Sequence, residues 1–181
     1  AYDSANFVGR ENEIRKIDEA FSANHVVFLS GIGGIGKTEL AKKYAYLNSD
    51  KSNRILFCHF SHSIESTINS EIQITDCEPD PGEDSREYFE RKLKALRSVL
   101  TEQDMIILDN FDVSSDDDLD ILLKCRCRFI ITTREDYSDY NYEQIYVDSF
   151  DDIGDALNLF RSYNRNLYDE REQECIADII E

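Results

Sequence analysis

Short runs of consecutive apolar residues recur along the chain and are separated by longer segments of mixed character. These runs predict strands at residues 25–30, 54–60, 105–108, 128–132 and 144–147. Each run is apolar on both faces, as strands are when helices cover both sides of a sheet. We therefore expect a parallel sheet buried in the middle of the molecule.

Segments with one apolar face lie between these strands. Residues 11–21 place Ile14 and Ile17 on the same side of a helix, and residues 38–47 and 87–100 are also predicted to be helical. Strands that alternate with helices predict an α/β fold. In it, a five-stranded parallel sheet lies between two layers of helices.

Three polar segments interrupt this pattern. Residues 63–73 are ambiguous between a helix and a loop. Residues 75–84 contain both prolines and several acidic residues, so we expect an exposed loop there, with Ser85 as the N-cap of the next helix. Residues 116–118 are consecutive aspartates, which we interpret as a solvated stretch.

The charge balance is strongly acidic. The 181 residues, enough for one domain and the start of another, include 20 Lys and Arg against 38 Asp and Glu, a net charge of −18 at pH 7. Nucleic-acid backbones and anionic lipids bind surfaces rich in Lys and Arg. We therefore expect no membrane contact and no direct nucleic-acid binding. One local basic pocket for a phosphate group is still compatible with this charge.

The cysteines and the first residues indicate a compartment. The five cysteines are an odd number without a C-x-x-C pair, which favours neither a disulfide framework nor a metal site. The sequence contains no apolar run of about 18 residues that could span a membrane. It also begins without the basic and apolar regions of a secretory signal. We therefore expect a cytoplasmic protein.

Four of the seven glycines fall in the segment Gly31-Ile32-Gly33-Gly34-Ile35-Gly36-Lys37-Thr38. It matches G-x-x-x-x-G-K-[ST], with a predicted strand before it and a predicted helix after it. Glycines let the backbone close around a phosphate with its N–H groups turned inward, and the helix N-terminus adds a favourable dipole. The predicted nucleotide-binding residues of this segment are Gly33, Gly34, Ile35, Gly36, Lys37, Thr38 and Glu39.

Two side chains of this segment and one carboxylate carry the predicted chemistry. Lys37 supplies positive charge to the β- and γ-phosphates, and the Thr38 hydroxyl can bind Mg²⁺. The strand at 105–108 leads to Asp109, which would face the loop from the same edge of the sheet and hold Mg²⁺ through a water. Thr38 and Asp109 are therefore the predicted metal ligands.

The residues after Asp109 bear on the rate of hydrolysis. A second acid often follows the metal-binding aspartate and orients water, but here the position holds Asn110, which cannot accept a proton. Asp112 is the candidate substitute, although it fits a solvated loop acid equally well. We therefore expect slow hydrolysis, or a nucleotide that serves as a switch ligand.

Arg134 follows the predicted strand at 128–132. If this strand lies between the first strand and the strand that leads to Asp109, Arg134 lies beside the γ-phosphate and can bind it with two nitrogens. The alternative is an ordinary surface arginine. The predicted catalytic residues are thus Lys37, Asp109, Asp112 and Arg134.

Four motifs, in this order, resemble a known family. Residues 7–11 (Phe-Val-Gly-Arg-Glu), 31–38, 108–112 (Leu-Asp-Asn-Phe-Asp) and 131–134 (Ile-Thr-Thr-Arg) are similar to the NB-ARC-like domain of STAND proteins, the signal-transduction ATPases with numerous domains. That group includes apoptosome ATPases, plant disease-resistance proteins and many bacterial regulators and defence proteins. Residues 150–160 resemble the segment that begins the family's small helical subdomain.

The resemblance implies a P-loop NTPase fold of the ASCE or AAA+-like type at residues 1–149 and the beginning of a helical subdomain at residues 150–181. It also implies an ATP/ADP-binding switch, with Mg²⁺, in a multidomain signalling, regulatory or defence ATPase. The implied partners are C-terminal helical, winged-helix and sensor domains and, with ATP bound, further copies of the chain. The family's glycine-proline motif is absent, so we interpret the sequence as a fragment. An active DNA-associated ATPase of the AAA+ or initiator type is the alternative.

The same resemblance assigns a role to the first motif. It implies that Phe7, Val8 and Arg10 line the pocket for adenine and ribose. Core packing is the alternative for the two apolar residues, and a salt bridge to Glu11 or Glu13 is the alternative for the arginine.

Overall fold

The structure is a computed structural model that describes residues 7–149, 154, 155, 158 and 159. Helices and strands alternate along most of the chain, as the apolar pattern predicts. The elements are α1 (Glu11–Ala23), β1 (Val26–Ser30), α2 (Lys37–Leu47), β2 (Ile55–His59), α3 (Ile64–Glu71), α4 (Ser85–Val99), β3 (Met105–Asp109), α5 (Leu119–Leu122), β4 (Arg128–Thr133) and β5 (Glu143–Tyr146).

All five strands form one parallel sheet in the order β2-β3-β4-β1-β5. This confirms the predicted sheet, and the fourth strand lies between the first and the third, which is the condition set above for Arg134. Because the strands are parallel, the loops after β1, β3 and β4 emerge at the same edge. The motifs that follow these strands are therefore neighbours in space.

The core lies on both faces of the sheet, because successive side chains of a strand point to opposite sides. Val27 and Leu29 of β1 belong to the cluster with α1 and α2, whereas Val26 and Phe28 belong to the cluster with α3, α4 and α5. These four side chains are fully buried, which stabilises the fold by about 1.5–3 kcal/mol for each large one. The three-layer prediction is confirmed.

The ambiguous segment at 63–73 contains a helix, α3, whose first turn explains why it forms. Ser63 caps this helix by accepting a hydrogen bond from the backbone N–H of Ser66, whose hydroxyl bonds back to the N–H of Ser63. The prediction that Ser85 caps α4 is wrong by one residue. Asp84 is the cap, in a reciprocal pair with Glu87 three residues later, the spacing of a capping box.

The interpretation of residues 116–118 as solvated is wrong for two of the three aspartates. Asp116 accepts a hydrogen bond from the backbone N–H of Ile64 at the start of α3, at 2.9 Å. Asp118 binds the Arg86 guanidinium with both oxygens, at 2.7 and 2.8 Å. The physical reason is that α3 and α4 present unpaired donors to this loop, and a sequence read locally does not show them.

The loop at 75–84 is exposed along most of its length, as predicted, with Cys77 buried beneath it. Arg91 of α4 holds this loop through Glu83, at 2.6 Å. Of the predicted helical subdomain at 150–181, only residues 154, 155, 158 and 159 are described, and these are helical. The rest of that prediction lies outside the described residues. No helix in the described part of the chain is long and apolar enough to cross a membrane.

Candidate phosphate-binding site

The glycine-rich loop connects β1 directly to the first turn of α2. Gly36 is the N-cap of α2 with φ +101°, a left-handed conformation that strongly favours glycine. At Gly31 any Cβ would lie 2.4 Å from the carbonyl oxygen of Val147, so the backbone after β5 passes too close for a side chain. The local requirement for glycine is therefore structural at both ends of the loop.

Lys37 lies at the base of this loop, with only 7% of the residue exposed. Its ammonium group donates to the carbonyl oxygens of Gly31 and Ile32, at 2.7 and 2.9 Å. Burial lowers the pKa of Lys37, and the carboxylates of Asp112 and Asp109 oppose that shift. The charge is thus held beneath the loop by neutral carbonyls, which a phosphate oxygen can replace.

Thr38 and Asp109, the predicted metal ligands, are in contact. The Thr38 hydroxyl donates to Oδ1 of Asp109 at 2.7 Å, and the Thr132 hydroxyl donates to the same oxygen at 2.8 Å. His59 completes the surroundings, with Nδ1 3.5 Å from Oδ2 of Asp109. Asp109 is 3% exposed, so its carboxylate is both desolvated and held in one position.

This donor set fits Mg²⁺. A threonine hydroxyl and one carboxylate are hard oxygen ligands, and Mg²⁺ in phosphate sites takes its remaining ligands from water and the phosphates. Among the described residues no group of three or more His, Cys, Asp and Glu could hold a metal on its own. An ion held by Thr38 and Asp109 would need its further ligands from water or a phosphate group.

Thr132 and His59 are site residues that our sequence reasoning missed. In the parallel register, Leu108 of β3 pairs with Ile131 of β4, which puts Thr132 beside Asp109. His59 is the register partner of Asp109 on β2. The Thr-Thr-Arg motif at the end of the fourth strand contained the signal for Thr132, whereas β2 carries no motif that fixes its register.

Asp112 and Arg134 form an ion pair at the same edge of the sheet. The backbone N–H of Arg134 donates to Oδ1 of Asp112 at 2.7 Å, and Nε of Arg134 lies 3.0 Å from Oδ2. A Cβ built on Gly33 would lie 3.4 Å from the guanidinium carbon, so the arginine covers the glycine-rich loop, called the phosphate loop below. The structure thus brings Arg134 to the glycine-rich loop. Asp112 is paired with Arg134 and is not a solvated loop acid.

Asn110 makes this arrangement possible. It has φ +58°, and its backbone N–H donates to the Thr132 hydroxyl at 2.9 Å. Asparagine tolerates the left-handed region better than most residues. The sharp turn after β3 therefore carries Asp112 towards the end of β4.

The first motif contacts the phosphate loop through Arg10. Its guanidinium donates to Oε1 of Glu13 at 2.8 Å and to the carbonyl oxygens of Asp148 and Ile35, at 2.6 and 3.2 Å. The salt bridge to Glu13 weighed above is therefore present. Phe7 is half-buried against the α1–α2 core, with the Lys43 ammonium 5.3 Å from its ring centre. Contact of this segment with adenine and ribose stays a prediction.

The remaining predicted residues lie on the open side of the loop. Gly33, Gly34 and Gly36 are exposed, and Ile35 is half-buried. Glu39 is exposed on the first turn of α2 and pairs with Lys42 at 2.9 Å. The loop backbone is therefore accessible from solvent, as a phosphate cradle must be.

A cleft of about 840 Å³ lies at the edge of the sheet opposite to the glycine-rich loop, and its lining includes Lys124, Arg126 and Arg128. Every other arginine in the described ranges makes a hydrogen bond or an ion pair with another residue. For Arg126 and Arg128 no such bond is found within those ranges, and Arg128 only stacks on Phe21. Glu102 and Asp120 line the same cleft, so its three cations face two carboxylates.

The comparisons with known proteins bear on the fold. Neither a family model nor a curated protein matches the sequence. Among solved structures, a Walker-type ATPase of Pyrococcus abyssi superposes with a TM-score of 0.61 at 16% identity, over 96% of this chain. The fold is that of a P-loop NTPase. The matched region covers 63% of the archaeal ATPase, so this chain spans less than two thirds of that protein.

Proposed function

We propose that this chain is the ATP- and ADP-binding domain of a STAND-type switch ATPase. The observation that carries the proposal is the 2.7 Å contact between Thr38 and Asp109 directly below a glycine-rich loop whose lysine is buried. The loop and the hydroxyl of residues 31–38 meet the carboxylate of a second segment there, in the arrangement that nucleotide and Mg²⁺ require.

Each predicted residue has a place in this proposal. The N–H groups of the loop bind the phosphates, and Lys37 exchanges its two carbonyl partners for phosphate oxygens. Thr38 and Asp109 hold Mg²⁺, which supplies neutralisation of phosphate charge when bound. Arg134 contacts the γ-phosphate from the end of β4, within reach because it already lies over Gly33.

Slow hydrolysis, which suits a switch, follows from the residues after Asp109. Asn110 cannot accept a proton, and both oxygens of Asp112 are bound by Arg134. The order of the four motifs supports the STAND assignment, with C-terminal domains and further copies of the chain as partners in a cytoplasmic signalling or defence protein. ATP and ADP shift such a domain between states only through their different affinities for those states.

The test is isothermal calorimetry of ADP and of a slowly hydrolysed ATP analogue with Mg²⁺. We expect binding by the wild type and a loss of at least 100-fold, on the order of 2.7 kcal/mol, for Lys37→Ala. Lys16→Ala, an exposed lysine on α1, is the matched control and should bind as the wild type does. Equal affinity of Lys37→Ala and wild type would refute the assignment of the site.

The cleft at the opposite edge of the sheet, where three cations outnumber two carboxylates, favours a second candidate, a DNA-associated ATPase. Lys124, Arg126 and Arg128 could contact phosphates of a nucleic acid, although the net charge of −18 opposes it. This candidate predicts that the wild type hydrolyses ATP over multiple turnovers. It also predicts that the wild type retains duplex DNA and that Arg126→Ser/Arg128→Ser does not. Absence of both effects would leave the switch as the better function.

A further inference from the structure

Both oxygens of Asp112 contact Arg134, and each keeps one further lone pair. One oxygen accepts the backbone N–H of Arg134, and the other lies 3.0 Å from Nε of the same residue. A general base needs a lone pair directed at water and a pKa near the working pH. A carboxylate held on both oxygens by one arginine is oriented towards that arginine, so its geometry favours positioning Arg134 over acting as a base.

The geometry of Arg134 agrees with this role. Asp112 binds the backbone and Nε of this arginine, while its two terminal nitrogens make no hydrogen bond within the described residues. The guanidinium carbon and Nη1 would lie 3.4 and 3.6 Å from a Cβ on Gly33, the middle of the phosphate loop. The backbone N–H and Nε of Arg134 are therefore bound by Asp112, whereas its two terminal nitrogens are open to a ligand.

Space for a ligand lies next to the open side. A cleft of about 480 Å³ separates the phosphate loop from the ends of β4 and β5, and Gly33, Arg134 and Tyr146 line it. The Arg134 side chain is 61% exposed, so without its anchor it would sample many rotamers. Ordering a long side chain costs up to about 2 kcal/mol, which an anchor removes in advance.

We propose that Asp112 is a positioning residue that fixes Arg134 over the phosphate loop and thereby makes the site prefer nucleotides with a γ-phosphate. This inference rests on the proposed function. Because Asp112 occupies Nε, both terminal nitrogens can bind two oxygens of one phosphate, the geometry that makes arginine selective for phosphate groups. A nucleoside diphosphate does not reach the arginine and gains nothing from it.

Calorimetry with ADP and with a slowly hydrolysed ATP analogue separates this role from the others. The set is wild type, Asp112→Asn, Arg134→Ala, the double variant and Asp139→Asn, a charge-matched control that is exposed and lies outside the lining of this cleft. We expect Asp112→Asn to weaken binding of the analogue by about tenfold, the loss of one charge-assisted contact, and to leave ADP affinity within about twofold. Asp139→Asn should change neither affinity.

The double variant tests the coupling. If Asp112 acts through Arg134, the double variant loses no more affinity for the analogue than Arg134→Ala alone. Losses that multiply would overturn the proposal, because the residues would then act independently. So would an Asp112→Asn variant that stops hydrolysis with unchanged affinity for the analogue, the result expected of a base. A wild type that binds neither nucleotide would refute the proposed function itself.

Discussion

Asp109 and Asp112 are carboxylates three residues apart that differ in almost every physical respect. Asp109 ends β3, is buried and has partners on α2, β2 and β4. The Asp112 side chain is 25% exposed and binds one residue, Arg134, whose own side chain is largely in solvent. The first belongs to a buried group with partners on three elements, and the second to a partly exposed pair that leaves the terminal nitrogens of Arg134 open.

The energetics of the two carboxylates follow from their burial. A buried carboxylate that loses a donor costs the desolvation of that group, about 1–3 kcal/mol or more. An exposed ion pair contributes about 0–1 kcal/mol, because water competes for both partners. In the proposed function, the Asp109 group thus holds a metal in one place, whereas the Asp112 pair presents Arg134 to a phosphate.

The largest expected effect is on metal dependence. We expect Asp109→Asn to remove most of the Mg²⁺-dependent part of the affinity for an ATP analogue, a loss of about 100-fold. Asp112→Asn should keep that dependence, because its carboxylate is not a metal ligand. Calorimetry with Mg²⁺ and with a chelator measures this dependence for both variants. Equal Mg²⁺ dependence of Asp109→Asn and wild type would contradict the assignment of Asp109 as a metal ligand.

The next effect contrasts a buried arginine with an exposed one. Arg10→Ala should lower the free energy of unfolding by about 2–3 kcal/mol, because a charged group with three acceptors is removed and the Ile35 and Asp148 carbonyls lose a donor. Arg15→Ala breaks only an exposed pair with Glu19 on the same helix and should cost below about 0.5 kcal/mol. Urea unfolding measures the loss in the free energy of unfolding for both variants. Similar losses would contradict the claim that Arg10 stabilises the glycine-rich loop.

A smaller effect is expected for the hydroxyl that supports Asp109. Thr132→Val keeps the shape of the side chain but removes the donor to Asp109 and the acceptor for the N–H of Asn110. We expect a loss of about 1–2 kcal/mol in the free energy of unfolding. Thr75→Val in the exposed loop is the control and should be neutral. A stable Thr132→Val variant would mean that Asp109 does not need this partner.

The smallest effect concerns the pH dependence of unfolding. Burial lowers the pKa of Lys37 in the folded chain below the ordinary value of 10.5. At pH values between these two pKa values, Lys37 is protonated in the unfolded chain and deprotonated in the folded chain. The free energy of unfolding therefore rises with pH in this window. Lys37→Met should remove this contribution, which urea unfolding between pH 8 and about 10 would detect as a shallower slope. A slope equal to that of the wild type would argue against the buried ammonium group.

The sheet and half of the site could be predicted from the sequence because their signals are local. Apolar runs define the strands, and the glycine-rich loop identifies Lys37 and Thr38 within a few residues. Asp109 follows from the rule that the carboxyl ends of parallel strands share one edge. These predictions need no knowledge of which side chains meet.

The other half depends on contacts between distant segments. Arg134 meets Asp112 across 22 positions, and Arg10 meets Asp148 across 138. The same limit explains why the aspartates at 116–118 were interpreted as solvated, since their partners lie on α3 and α4. A charge run or a lone arginine has no pattern that identifies its partner, so only the assembled fold shows it.

The most direct test of the central claim is to purify the chain, denature it and identify any released nucleotide by chromatography. We predict that close to one ADP or ATP per chain is released from the wild type and far less from Lys37→Ala. A wild type that releases no nucleotide and binds none even at about millimolar concentration would contradict the claim that the Lys37–Asp109 site is a nucleotide site.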